Sequence, residues 1–138
     1  MANGLLYSLA VKRLLILDDD VVVISALSRY FAIQGFLVVS AREREEAEAL
    51  LQREPIDVAV LDISLTPGGR EGLEILSNIR ATDPWLPVVI FSGGVDQEIE
   101  GEARRLGADA VLGKRQIGEL ARVVHDLVLR RPRSARAT

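Results

Sequence analysis

Cysteine is absent from the 138 residues, and histidine occurs once, at position 125. Disulfides, thiolate metal centres and imidazole metal clusters are therefore excluded. The missing cysteine suits a reducing compartment, so a cytoplasmic location is expected. No apolar run approaches the ~20 residues that a bilayer-spanning helix needs, and no membrane association is expected. The opening stretch, MANGLLYSLAVKR, has no basic segment ahead of its apolar part, and Lys12 and Arg13 interrupt it. Residues 1–11 read as a short extension, not a signal peptide. Internal repeats and low-complexity tracts are also missing.

What is present is ordinary for a globular chain: 49% hydrophobic and 27% charged residues. The length suits one domain with its own core, over residues 12–130. Net charge is −3, unevenly spread: RRPRSARAT at 130–138 holds four arginines and no acid, leaving −7 elsewhere. An acidic body disfavours direct nucleic-acid binding. Residues 131–138 read as a solvated basic tail.

Three continuous apolar runs, LLIL at 14–17, VAVL at 58–61 and VVIF at 88–91, suit strands covered on both faces of a parallel sheet. FLVVS at 36–40 and ADAVL at 108–112 are weaker strand candidates. Helical patterns fill the gaps. Residues 21–34 place Ile24, Leu27 and Phe31 on one face before Gly35. SAREREEAEALLQ opens with a potential capping box, Ser40 and Glu43, and stops before Pro55. Residues 71–81, 96–106 (capped by Asp96, ended by Gly107) and 117–130 complete the set. Five βα units in succession predict a doubly wound α/β sandwich.

Such sheets bind ligands beyond the carboxyl ends of their strands. The first run ends in Asp18, Asp19 and Asp20, the third in Asp62, the fourth in Ser92 before Gly93 and Gly94; Lys114 follows the fifth. Adjacent carboxylates repel, at roughly 4 kcal/mol for a pair about 4 Å apart in an effective dielectric near 20. A hard, water-retaining cation such as Mg2+ would neutralise that repulsion. Lysine and hydroxyl groups are donors to phosphoryl oxygens, and an aspartate beside Mg2+ can be a phosphoryl nucleophile. Taken singly these residues are unremarkable: Asp20 reads as a helix N-cap, and His125 as a surface or boundary residue.

Together, RLLILDDD, QGF, PIDVAVLDISL, GLEILSNIR, PWLPVVIFSG and LGADAVLGK resemble the receiver domain of two-component response regulators, over roughly residues 12–130. The resemblance implies a flavodoxin-like (βα)5 fold with strand order 2-1-3-4-5. It implies Asp62 as phosphoacceptor, with Mg2+ held by Asp18, Asp19, Asp62 and the backbone carbonyl of Ser64. Ser92 would bond the phosphoryl group, and Lys114 would pair with Asp62 or its phosphate. The donor would be a phosphohistidine on a sensor histidine kinase or a histidine phosphotransfer domain. The protein would be a signalling phosphoacceptor rather than an enzyme with an external substrate. Its output would pass through the face of the last two helices and fifth strand to a downstream protein that the sequence does not name. A homodimer at that face is left open.

Three positions and one loop depart from the family pattern. Arg115 replaces the usual cis-proline, so a trans or rearranged loop is expected. Val111 stands where an aromatic switch is common. The loop ISLTPGGREG is about two residues longer than usual and glycine-rich, suggesting mobility or a partner's shape. Gly93 replaces a small alanine, which keeps the site open. Only eight residues follow position 130, so the expectation is a stand-alone regulator, a relay intermediate or a receiver taken from a longer chain. Two rival readings remain. One is a haloacid-dehalogenase-type phosphatase with Asp18 as nucleophile, Asp20 as general acid, and Ser92 and Lys114 in its other motifs. The other is an interaction module independent of phosphorylation.

Overall fold

The apolar runs become strands because neighbours cover both of their faces. In the computed structural model β1 (Arg13–Leu17), β2 (Leu37–Ala41), β3 (Val58–Leu61), β4 (Val88–Ser92) and β5 (Ala110–Gly113) form one parallel sheet in the order β2-β1-β3-β4-β5. Helices α1 (Val21–Ile33), α2 (Arg44–Arg53), α3 (Glu71–Thr82), α4 (Gln97–Arg105) and α5 (Ile117–Arg130) alternate with them. This is the flavodoxin-like sandwich and strand order expected. The structure describes residues 11–130. Of the extension expected over 1–11 only Val11 is described, exposed and ahead of β1; the rest of it and the basic tail over 131–138 lie outside the described residues.

Side chains alternate along each strand and so feed two cores. Leu15, Leu17, Ala59, Leu61 and Ile90 pack with Ala47 of α2, Leu73 and Leu76 of α3 and Ala103 of α4. Leu14, Ile16, Val60, Val89 and Phe91 pack on the other face with Leu27 and Phe31 of α1 and Leu120 and Val124 of α5. At about 25 cal/mol per Å2 of buried apolar surface, these two layers are the main stabilising contribution.

Register then decides what meets at the carboxyl end. Leu17 is level with both Ala41 and Leu61, Leu61 with Ile90, and Ser92 with Gly113. The ladder continues one step further, with Asp62 N donating to Leu17 O at 2.9 Å and Asp18 N to Ala41 O at 3.1 Å. The residues just past these levels, including Asp18, Asp62 and Lys114, must therefore share one rim.

Caps show where sequence pattern and structure differ. Asp20 caps α1 by accepting from Val22 N (2.9 Å), and Asp96 caps α4 by accepting from Ile99 N (2.8 Å), both as expected. The Ser40–Glu43 capping box does not form. Ser40 is inside β2, paired with Ile16, and α2 starts at Arg44 behind Glu43, whose side chain makes no cap bond. Strand pairing outcompetes the local capping signal there. The second and fifth strands lie one or two residues later than expected. Gly35 (φ 98°) and Gly107 (φ 106°) each close a helix with a left-handed residue, which uses up the start of the following segment. After α1, Gly35 N donates to Ala32 O and Phe36 N to Phe31 O, while the Phe31 and Phe36 rings meet edge-on at 5.6 Å.

Gly72, in the first turn of α3, has a different role. A Cβ there would fall onto the backbone carbonyl of Asp62, so glycine lets α3 lie directly against the end of β3. Alanine is the better helix former by about 1 kcal/mol, yet overpacking costs about 1–3 kcal/mol. Gly72→Ala is expected to destabilise the protein in urea denaturation, against the helix-propensity trend. A gain in stability would show that the close approach is dispensable.

Candidate functional site

At the rim, Asp18 and Asp62 are buried at 2% and 5% exposure, and Asp19 is exposed. One carboxylate oxygen from each of Asp18, Asp19 and Asp62 lies within 4.8 Å of the others. Sequence reasoning anticipated this convergence. It did not anticipate how the buried charges are compensated. Lys114 Nζ lies 2.8 Å from Asp18 Oδ2 and 3.1 Å from Asp62 Oδ2, bridging the two. The expected pairing with Asp62 is present, and the Asp18 contact is an addition that no local sequence signal carries.

Each buried carboxylate has a second donor. Asp18 Oδ1 accepts from Asp20 N at 2.9 Å. Asp62 Oδ1 accepts from the Ser92 hydroxyl at 2.5 Å, and Ser92 Oγ in turn accepts from Ile63 N at 3.3 Å. Burial pushes the Asp18 carboxyl above its ordinary range, outweighing the Lys114 and Asp20 hydrogen bonds that pull it down. Burial works against the Lys114 ammonium too, but the combined attraction of Asp18 and Asp62 is larger, and its pKa rises. The pocket thus holds a cation firmly while one of its acids is poorly solvated.

The turn carrying Lys114 is a 3-10 segment, Lys114–Gln116, entering α5 directly. No peptide bond among the described residues is cis, so Lys114–Arg115 is trans, as the missing proline implies. Gln116 Oε1 accepts from Gly113 N at 2.9 Å and ties the turn to the end of β5. Val111 is buried in the core facing α4, with no ring at that position. A Cβ on Gly93 would meet nothing within 4 Å, so the space beside that residue is open.

The long loop after Asp62 is closed on itself rather than extended. Glu71 Oε1 accepts from Leu65 N (3.1 Å) and its Oε2 from the Thr66 hydroxyl (2.5 Å). The Thr66 hydroxyl is the main cause of a lowered Glu71 pKa. Ser64 Oγ donates to Thr66 O at 2.6 Å, and Arg70 reaches Glu102 of α4 at 2.6 Å. An open groove beside the acids is lined by Asp19, Arg42, Arg44, Leu65, Thr66 and Glu71. Asp20 stays at its capping position outside the cluster. His125 is exposed, its Nε2 2.6 Å from Gln34 Oε1, and takes no part in the rim.

Three carboxylates, with no sulfur or imidazole, form a hard oxygen donor set that fits Mg2+ with retained waters. Beside them stand a buried nucleophile-type carboxylate, a hydroxyl donor and an ammonium. That combination is suited to taking up a phosphoryl group.

Comparison with known proteins agrees with this arrangement. Residues 14–125 match the response regulator receiver domain family, and the chain belongs to that family, the signalling modules of two-component systems. It is 34% identical over 104 residues to the regulatory protein VirG of Rhizobium rhizogenes, covering 75% of this chain and 42% of that protein. It is 32% identical over 96 residues to the alginate biosynthesis transcriptional regulatory protein AlgB of Pseudomonas aeruginosa, covering 70% of this chain and 21% of that protein. The chain thus matches less than half the length of these relatives. Among solved structures, the receiver domain of a Francisella response regulator superposes with a TM-score of 0.78 at 28% identity, covering 86% of this chain and 98% of that one. A response regulator receiver protein from Pseudomonas putida gives 0.77 at 29% identity, covering 85% and 98%.

The bridge predicts the behaviour of Lys114→Met. Without metal, the variant leaves two buried carboxylates facing each other and loses about 2 kcal/mol in urea denaturation, below the full buried-pair range because Lys114 is part-exposed. The deficit shrinks as pH falls, because protonating the already raised Asp18 carboxyl removes one of the opposed charges. Mg2+ restores more stability to the variant than to the unmutated protein. Equal stability of the two metal-free proteins near neutral pH would contradict the bridging role.

Proposed function

We propose that the chain is the phosphoacceptor receiver of a two-component or phosphorelay system. Asp62 takes a phosphoryl group from a phosphohistidine on a sensor histidine kinase or histidine phosphotransfer domain. The observation that carries the proposal is the double grip on a buried Asp62, Ser92 on one oxygen and Lys114 on the other, beside two further acids. Asp18, Asp19, Asp62 and the Ser64 carbonyl are the groups that would hold Mg2+. When bound, the ion supplies charge neutralisation for the transferring oxygens.

The chain's own residues do the rest. An Asp62 carboxylate oxygen attacks phosphorus as the P–N bond breaks. The bonding electron pair leaves with the imidazole, which takes up a proton. Ser92 and Lys114, already donating to Asp62, are placed to donate to the new phosphoryl oxygens. Lys114 then gives up Asp18, and because its turn leads directly into α5, that exchange is the local event that alters the α4–β5–α5 face. With valine at 111, no aromatic ring passes the change along. The phosphatase alternative fares poorly on geometry, since Asp20, its general acid, is spent as a helix cap.

Incubation with a small acyl phosphate and Mg2+ is expected to add one acid-stable, base-labile phosphoryl group, seen by mass spectrometry. Asp62→Asn abolishes it. Labelling that survives Asp62→Asn, or sustained hydrolysis of a generic phosphate ester, would overturn the assignment. No labelling of the unmutated chain would instead leave an interaction module.

Mg2+ at about 100 times its Kd should raise stability by roughly 2.7 kcal/mol, and Asp19→Asn should remove most of that gain. A melting curve of the unmutated protein indifferent to Mg2+ would refute the metal assignment.

A further inference from the structure

The Asp18 carboxylate is fixed by Lys114 and Asp20 N and the Asp62 carboxylate by Ser92 and Lys114, whereas the Asp19 carboxylate accepts no hydrogen bond from the described residues. What the described residues hold is the backbone of the turn it sits on. That turn is held from outside: Arg42 Nε and Nη2 both donate to the Asp19 carbonyl, at 3.3 and 3.2 Å. We propose that Arg42 is a positioning residue for the metal site, its planar guanidinium fixing the β1–α1 turn so that the Asp19 carboxylate faces Asp18 and Asp62. The inference rests on the Mg2+ site proposed above.

Arg42 owes its place to the sheet and not to chance contact of a long side chain. Leu17 is level with Ala41, and Asp18 N donates to Ala41 O at 3.1 Å, so the residue after Ala41 must stand beside the acids. Its backbone is pinned from the other side, where Arg42 N donates to Glu46 Oε1 of α2 at 3.3 Å. Two guanidinium donors held in one plane and converging on a single carbonyl oxygen constrain where that oxygen sits, whereas an ammonium acts as a point charge. Mutating groups that orient metal ligands typically costs about 10–100-fold in metal affinity.

A bare-charge role for Arg42 predicts the opposite sign. A cation next to three carboxylates weakens the field that attracts Mg2+, so removing it would tighten binding, and lysine would substitute for it fully. Positioning predicts weaker binding in both variants.

Calorimetric titration of Mg2+ into the full chain separates these cases, with the metal-free melting temperature recorded for each protein. Arg42→Ala is expected to weaken Mg2+ binding roughly tenfold and Arg42→Lys several-fold, with metal-free melting near that of the unmutated protein. Affinity in Arg42→Lys equal to that of the unmutated protein, or equal or tighter affinity in Arg42→Ala, overturns the inference while leaving the metal site standing. Failure of the unmutated chain to bind Mg2+, or binding undiminished in Asp19→Asn, overturns both.

Discussion

Two carboxylates removed from water within reach of each other cannot both stay charged without a cation, and Lys114 is the cation this fold provides. Its ammonium bridges Asp18 and Asp62 in place of solvent. The cost of burying Asp18 is still visible in its raised pKa, so the bridge compensates the burial without making it favourable. The site is thus already organised around shared charge, which is what the proposed uptake of a divalent ion and a phosphoryl group would require. Under the proposed function, the incoming charge would change Lys114's partners.

The sheet makes this possible by directing chemistry to one end. Parallel pairing from β2 to β5 aligns the carboxyl ends of the strands, so Asp18, Asp62, Ser92 and Lys114 converge although 96 positions separate the first from the last. Among the described residues, the opposite end is tied together by Arg80. There Arg80 donates to the carbonyls of Gly107, Asp83 and Leu86 and to the Asp109 carboxylate, joining α3 to the starts of β4 and β5. Gly72 completes the division, since it lets α3 start hard against the backbone of Asp62 at the end of β3.

Much of this was legible in sequence because it rests on strong local signals. Unbroken apolar runs mark buried parallel strands, and the polar residues that end them mark the rim. What failed was weaker. Ser40 and Glu43 match a capping box, but Ser40's partner in β1 is 24 residues away, and a pattern confined to one segment cannot see it. The double attachment of Lys114 and the grip of Arg42 on Asp19 depend on register between strands, which local pattern does not encode. The glycine-rich loop after Asp62 looked loose in composition, yet Glu71 closes it through Leu65 and Thr66.

The relatives matched over part of their length include transcriptional regulatory proteins and a cyclic di-GMP phosphodiesterase of Thermotoga maritima, 33% identical over 109 residues that make up 28% of that protein. A receiver domain is thus found in proteins of very different kinds. The most direct test is a crystal structure grown with Mg2+ and beryllium fluoride, a mimic of the phosphoryl group. The account predicts the fluoride bonded to an Asp62 oxygen, the ion among Asp18, Asp19 and Asp62, and Lys114 turned from Asp18 to the ligand. An ion bound elsewhere, or Lys114 still bridging the two aspartates beneath an attached fluoride, would contradict it.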